Sequence, residues 1–473
     1  MITDFLYLMK AELMITIIIF LLLFLKLVDR EWNSNALLNF INVILLINLV
    51  AGFFFIPAGN LFGDMFKTNA LFTFEKNLLN LGTLIISLQS YQWLKTHKHI
   101  VEFYMLLLST LLGMFFMISS NNLLMFYLGL ELSTIPLAAL CNFDLDKRRS
   151  SEAAFKMIIS SAFSSGLLLF GISLLYGSTG ALGYIDLATR LSGNSLQIFS
   201  FILLLAGFGF KISAVPFHLW TADVYEGSPV SVTSYLSVVS KAAILFVMVS
   251  VFYNVFDAIS RNWYNMIFII AVATMIIGNL FALRQQNMKR FLAFSSIAQV
   301  GFILVGLSGQ SIAGSSSLVF FILIYVFSNL GAFGVVSLVS ATTGQENMND
   351  YKGFYKTNPL LSWGLAISLF SLAGIPPTAG FFGKFFLLFA GAGRGGSGNY
   401  ILVVIAALNM VVSLCYYLKV IKSMFMDTNE DPIVKIRSSW QPKIAMAICI
   451  GGILVTGIAS GAYNYIESLF SLP

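Results

Sequence analysis

Charge is scarce in this 473-residue chain: Asp, Glu, Lys and Arg supply 10% of it, against about 25% in ordinary soluble domains. Cysteine is scarcer still. Cys141, Cys415 and Cys449 lie far apart with no C-x-x-C, which excludes a four-cysteine iron–sulfur site and a disulfide framework. Histidine occurs three times, at His97, His99 and His218, and no intramembrane pair exists to ligate haem. Basic residues form no patch of the kind nucleic acid requires. What fills the space is apolar: 58% of the residues, 15% aromatic, with mean hydropathy +0.87. At about 20 residues per bilayer crossing, that is enough for about fourteen spans. Little chain remains for a soluble domain.

Polar and glycine-rich breaks divide the chain into fourteen apolar runs, at about 5–27, 36–56, 70–91, 103–120, 122–141, 152–176, 197–219, 229–255, 263–283, 289–308, 315–340, 359–390, 399–424 and 441–467. Lipid cannot satisfy backbone N–H and C=O groups, so runs this long and evenly apolar must be helices. An all-α polytopic membrane protein is expected. Acidic Asp4 and Glu12 flank the first run and no small-residue cleavage site follows it, so it reads as a retained helix, not a cleaved signal.

Lys and Arg test this layout independently, because they should collect in alternate loops. Odd-numbered loops hold Arg30, Lys95, Lys98, Lys147, Arg148, Arg149, Arg284, Lys289, Arg290, Lys352, Lys356, Lys435, Arg437 and Lys443; even-numbered loops hold only Lys67, Arg190, Arg261 and Arg394. The bias puts the odd loops in the cytoplasm and both termini on the outer, periplasmic side.

Charges well inside the runs are Glu131, Lys211, Lys241 and Lys384. Each costs about 2.5–3.5 kcal/mol at the bilayer centre even on a lenient scale. One acid cannot compensate three bases, whereas buried lysines that release and regain protons suit a relay. For Glu75 and Lys76, near the start of their helix, and Lys156, one turn into its own, interfacial snorkelling weighs at least as much as function, with Lys156 kept as a secondary candidate. Pro136 and Pro216 each follow a charge by five residues, and Pro376 and Pro377 precede Lys384. Non-helical backbone at membrane depth is tolerated where it lines a protein-buried or hydrated cavity, so the seventh and twelfth runs are expected to be discontinuous beside Lys211 and Lys384. These breaks are five spans apart, an odd offset that inverts topology, so spans four to eight and nine to thirteen read as inverted five-helix repeats. The expected divisions are a three-helix segment at 1–102, the repeats at 103–255 and 256–424, and a final loop and helix at 425–473.

Some motifs are decoys. Gly391, Gly393 and Gly396 match G-x-G-x-x-G but lie in an interspan loop with no preceding strand. His218 follows the seventh-run break and is a secondary candidate for a proton path. No metal site and no cofactor are expected in this chain.

Three stretches carry a resemblance: KISAVPFHLWTADVYEGSP from Lys211 to Pro229, running on to SKAAI at Ser240–Ile244; RFLAFSSIAQVG from Arg290 to Gly301; and SLAGIPPTAGFFGKFFLLF from Ser371 to Phe389. In them the chain resembles the antiporter-like subunits of respiratory complex I (NADH-quinone oxidoreductase), and among these the subunit N family. The resemblance implies a redox-centre-free, proton-translocating part of a larger translocase. Glu131, Lys211, Lys241 and Lys384 match the family's fifth-, seventh-, eighth- and twelfth-helix relay positions, and Lys156 looks like its sixth-helix lysine. Other membrane subunits and lipids would be the partners, with quinone and NADH bound by other subunits, in a bacterial cytoplasmic (inner) membrane. Lys384, where the M-type subunit usually has glutamate, and a chain too short for the L-type lateral helix both favour subunit N. Gln299 departs from the family's common histidine; glutamine can bond water but cannot hold a proton at neutral pH. The alternatives are a subunit of a multi-subunit Na⁺/H⁺ antiporter and a non-pumping scaffold of the membrane arm.

Overall fold

The protein is described by a computed structural model covering residues 2–28, 33–54, 56–459 and 461–470, without the side chains of Ile2 and Thr3. Arg30, counted above among the odd-loop charges, lies outside the described residues. The chain is almost wholly helical: α1 (Ile2–Leu8), α2 (Lys10–Leu27), α3 (Ser34–Ala51), α4 (Ala70–Leu94), α5 (Ile100–Ile118), α6 (Leu123–Cys141), α7 (Arg148–Thr179), α8 (Tyr184–Arg190), α9 (Ser195–Ile212), α10 (Leu219–Gly227), α11 (Val230–Tyr235), α12 (Lys241–Asn254), α13 (Ser260–Arg284), α14 (Met288–Leu307), α15 (Ile312–Thr343), α16 (Phe354–Thr357), α17 (Pro359–Ala373), α18 (Ala379–Gly393), α19 (Ser397–Phe425), α20 (Trp440–Ile458) and α21 (Gly461–Phe470). Eleven helical segments among the described residues are long and apolar enough to cross a bilayer, and α17 and α18 are shorter apolar helices.

Burial is inverted relative to a soluble protein. Phe163, Leu360 and Ile458 are exposed while Asn279, Gln299, Asn329 and Lys384 are buried. Lipid is as apolar as leucine, so polar groups and close backbone contacts hold the interior together. Gly113 and Gly278 let α5 approach α6 and α13 approach α14; a side chain at either would strike the backbone N of Ser133 or Ala298.

Local departures from the expected runs have identifiable causes. After α3, an antiparallel hairpin pairs β1 (Gly59–Leu61) with β2 (Phe66–Thr68), a correction to an all-helical reading. Glycines and Asp64 give this segment positive φ at Gly59, Gly63 and Asp64, and its edge is tied down by Lys67 N–H donating to Ser119 O at 2.8 Å. The eighth run is not a uniform helix either: Leu236–Ser240 is π-helical, between α11 and Lys241. Such wide turns are frequent at functional sites.

Both expected breaks are present. α9 ends at Ile212, where Ser213 is left-handed (φ 62°), and α10 begins only at Leu219. α17 ends at Gly374 (φ 88°) and α18 begins at Ala379. Each break contains a cis X–Pro bond, Val215–Pro216 and Pro376–Pro377. Pro136, by contrast, sits inside a continuous α6.

Candidate functional site

The twelfth-run break explains how Lys384 is buried. Helix termination frees the carbonyls of α17's last turn, and Lys384, one turn into α18, donates from Nζ to Leu372 O at 2.7 Å and Ala373 O at 3.2 Å. Its ammonium also lies 4.8 Å from the centroid of the Phe302 ring, within range of a cation–π attraction. Carbonyl dipoles and an aromatic face thus solvate a lysine that is 1% exposed.

Gln299 of α14 donates to the same Leu372 oxygen at 2.9 Å and to Tyr417 Oη of α19 at 3.0 Å. Tyr417 Oη in turn stands 2.6 Å from Ser295 Oγ. The next residue, Ser296, accepts from Lys241 Nζ at 2.5 Å. The ring of Tyr225 is 5.6 Å from the same ammonium. A polar seam thus runs from Lys241 through the Ser295–Ser296 pair of α14 to Tyr417, Gln299, the Leu372 carbonyl and Lys384. A second cluster lies beside it: Asn329 Nδ2 donates to Ser237 Oγ at 2.8 Å and Tyr325 Oη at 2.6 Å. Tyr225 Oη, Gln299 Oε1 and Asn329 Oδ1 are buried without a protein partner, the condition under which ordered water is bound.

At the other end of the set, Lys211 Nζ donates to Thr134 Oγ1. Thr134 stands one turn beyond Glu131 on α6, so Lys211 reaches the glutamate's helix without forming an ion pair with it. Glu131 is half-buried and its Oε1 has no hydrogen-bond partner. His218 stands at the residue before α10, within the seventh-run break, 7% exposed and with Nδ1 unpartnered. Lys156 lies elsewhere, in a surface network: it pairs with Asp223 at 2.6 Å and Glu152 at 2.7 Å, and Arg290 bridges Asp223 (2.7 Å) and Glu226 (2.9 Å).

Sequence reasoning missed one buried pair. Lys76 is not a snorkelling interfacial side chain; it is 2% exposed and pairs at 2.5 Å with Glu12 of α2, itself 1% exposed. Nothing in the spacing of residues 64 positions apart signals such a contact. Glu75 is also buried, at 4% exposure.

Two crevices open at opposite ends of the bundle. One, of about 390 Å³, is lined by Asp144, Lys147, Glu226, Lys289 and Glu346, all from odd-numbered loops and the adjoining helix ends. The other, of about 250 Å³, is lined by Lys67, Asn121, Tyr184 and Asn254, all from even-numbered ones. Loops of like parity thus meet on one face, as the alternating charge pattern requires.

Comparison with known proteins places this arrangement. The family described as NADH:quinone oxidoreductase/Mrp antiporter, TM, matches residues 120–413. NADH-quinone oxidoreductase subunit N of Phocaeicola vulgatus is 44% identical over 97% of both chains. The chloroplastic NAD(P)H-quinone oxidoreductase subunit 2 of Mesostigma viride is 37% identical over 92% of this chain and 91% of its own. Among solved structures, a chain of respiratory complex I from Thermus thermophilus with bound aureothin superposes with TM-score 0.81 at 28% identity, covering 95% of this chain and 97% of that one. A chain of the Mrp complex from Dietzia sp. shares the fold, with TM-score 0.84 at 20% identity over 97% of this chain and 95% of that one. The chain belongs to the NADH:quinone oxidoreductase/Mrp antiporter membrane family, among the subunit N proteins of NADH-quinone oxidoreductase.

Proposed function

We propose that this chain is a proton-translocating membrane-arm subunit of a bacterial NADH-quinone oxidoreductase, driven by quinone reduction in other subunits. The observation that carries the reading is the polar seam from Lys241 to Lys384, two hydrogen-bonded runs that meet at the adjacent residues Ser296 and Ser295 of α14. A dry structural charge needs one partner; these two lysines instead sit at the ends of a run of hydroxyl, amide and carbonyl groups. In this reading Glu131 and Lys211 form a switchable pair, Lys241 is the central carrier and Lys384 gates release. When the pair opens further than the contact of Lys211 with Thr134, Lys211 loses anionic support and its proton is driven toward Lys241. His218, Gln299 and Lys156 are supporting groups, Gln299 acting by bridging and not by carrying charge. The reading makes the subunit part of a translocase and gives it no cofactor or metal of its own.

The same reading gives fourteen crossings: the eleven long apolar segments, α2, α4 and the broken α17–α18. It includes inverted repeats, supported by the tight Gly113–Ser133 and Gly278–Ala298 contacts, in which both members are shifted by 165 residues. The odd loops face the cytoplasm and both termini the outer side of the inner membrane. Neighbouring membrane subunits and lipids cover the exposed apolar faces.

The test is Lys241→Ala in the assembled complex in membrane vesicles. Retained assembly with pumping abolished is the expected result. Normal pumping, or pumping preserved in Glu131→Gln with Lys211→Met, would establish the scaffold reading instead.

A further inference from the structure

Glu75 is a buried carboxyl beside the Lys76 ammonium. It is 4% exposed, and among the described residues it makes no hydrogen bond or ion pair. Its neighbour Lys76 is committed to Glu12 at 2.5 Å. An intramembrane acid left unpaired costs several kcal/mol unless it is neutral or touches water.

The space beside it has no room for a water molecule, which leaves the first condition. Glu75 borders a narrow space with Ser120, Tyr184, Phe246 and Ser250, and the even-loop crevice of about 250 Å³ shares Ser120, Tyr184 and Ser250 with it. Ser250 belongs to α12, the helix that begins at Lys241. The levels can be compared, because a side chain at Gly82 of α4 would meet Val239. From that contact Lys241 lies two residues, about 3 Å, toward the even-loop face, and Glu75 seven residues, about 10 Å, at 1.5 Å per residue. Glu75 therefore stands between Lys241 and the crevice along the membrane normal.

We propose that Glu75 is a proton-exchange group for the even-loop face, a second outlet serving Lys241 beside the route through Lys384. This rests on the relay proposed above. Glu75 gives its proton to water in the crevice by way of the Ser120, Tyr184 and Ser250 hydroxyls that line both spaces, and the carboxylate so formed is reprotonated from the Lys241 ammonium; no bond other than O–H and N–H changes. The charged and titratable groups facing it are Lys76, neutralised by Glu12; Tyr184, whose hydroxyl lies 3.1 Å from Ser120 Oγ; and Lys67 at the crevice mouth.

The experiment compares Glu75→Gln, Glu75→Asp and Lys241→Ala in the assembled complex in vesicles, reading protons moved per NADH oxidised. Partial loss in Glu75→Gln, recovered in Glu75→Asp, supports the outlet. Full pumping in Glu75→Gln with pumping lost in Lys241→Ala overturns the outlet and leaves the relay standing; full pumping in both overturns the relay as well. Should Glu75→Gln fail to assemble, the native complex is treated with dicyclohexylcarbodiimide, which attacks protonated carboxyls in apolar surroundings. Labelling of Glu75 that falls as the even-loop side is made alkaline supports the proposal, and an unlabelled Glu75 at every pH overturns it.

Discussion

Gln299 and Lys384 donate to a single acceptor, the carbonyl of Leu372, at 2.9 and 2.7 Å. The oxygen is available because α17 ends there. One backbone group thus joins α14 to α18 across the break, and the link on the α14 side is an uncharged amide. The amide holds the seam together without itself titrating.

Replacing Gln299 by Leu removes both of its donated bonds and is expected to slow proton pumping while leaving assembly intact. Gln299→His, which can still donate to Leu372 O or Tyr417, should pump close to the parent rate. Pumping rates per assembled complex decide between connection and mere bulk as the residue's contribution.

Cutting the Glu12–Lys76 pair leaves one charge buried and uncompensated, a loss of about 3–5 kcal/mol. Glu12→Gln or Lys76→Met should therefore lower the thermal unfolding temperature of the detergent-purified assembly. The double replacement should recover most of the loss, measured by the same melting curve.

Lys156 predicts the opposite pattern. It is 38% exposed and its network is solvent-screened, so the pairs it makes are worth about 0–1 kcal/mol. Lys156→Met should leave the melting temperature nearly unchanged, and Arg290 still pairs with Glu226 in its absence. A large drop in melting temperature would show that the network is structural.

Gly380 sits where a methyl group would strike the Ser371 carbonyl. Gly380→Ala must push α18 from α17 and pull Lys384 away from Leu372. Loss of pumping at normal or reduced assembly is expected, whereas Gly393→Ala, with open space around it, should be silent.

The sequence made the membrane architecture legible because lipid burial imposes a one-dimensional pattern. Long apolar runs, the parity of Lys and Arg, and lone charges beside prolines need no knowledge of contacts. Lys241 and Lys384 were found this way. What stayed hidden depends on three dimensions. Glu12 and Lys76 meet through α2 and α4; Glu75 is buried because α12 and the loop before α6 close over it; Lys211 bonds Thr134, one turn along α6 from Glu131. The β1–β2 hairpin was hidden for another reason, since strands of three residues are too short to show alternation.

The π-helical stretch ahead of Lys241 has a rotational consequence. It holds one residue more than a regular helix of the same height, and each residue of an α-helix turns the chain by about 100°. Winding Leu236–Ser240 as a regular α-helix with all five residues kept would swing Lys241 by about that angle relative to Val230–Tyr235, off Ser296, whereas deleting one of the five would straighten the hydrogen bonding and leave Lys241 in place. The irregular turn is thus the phase adjuster that lets a single helix present Tyr235 to Thr110 on one flank and an ammonium to α14 on another.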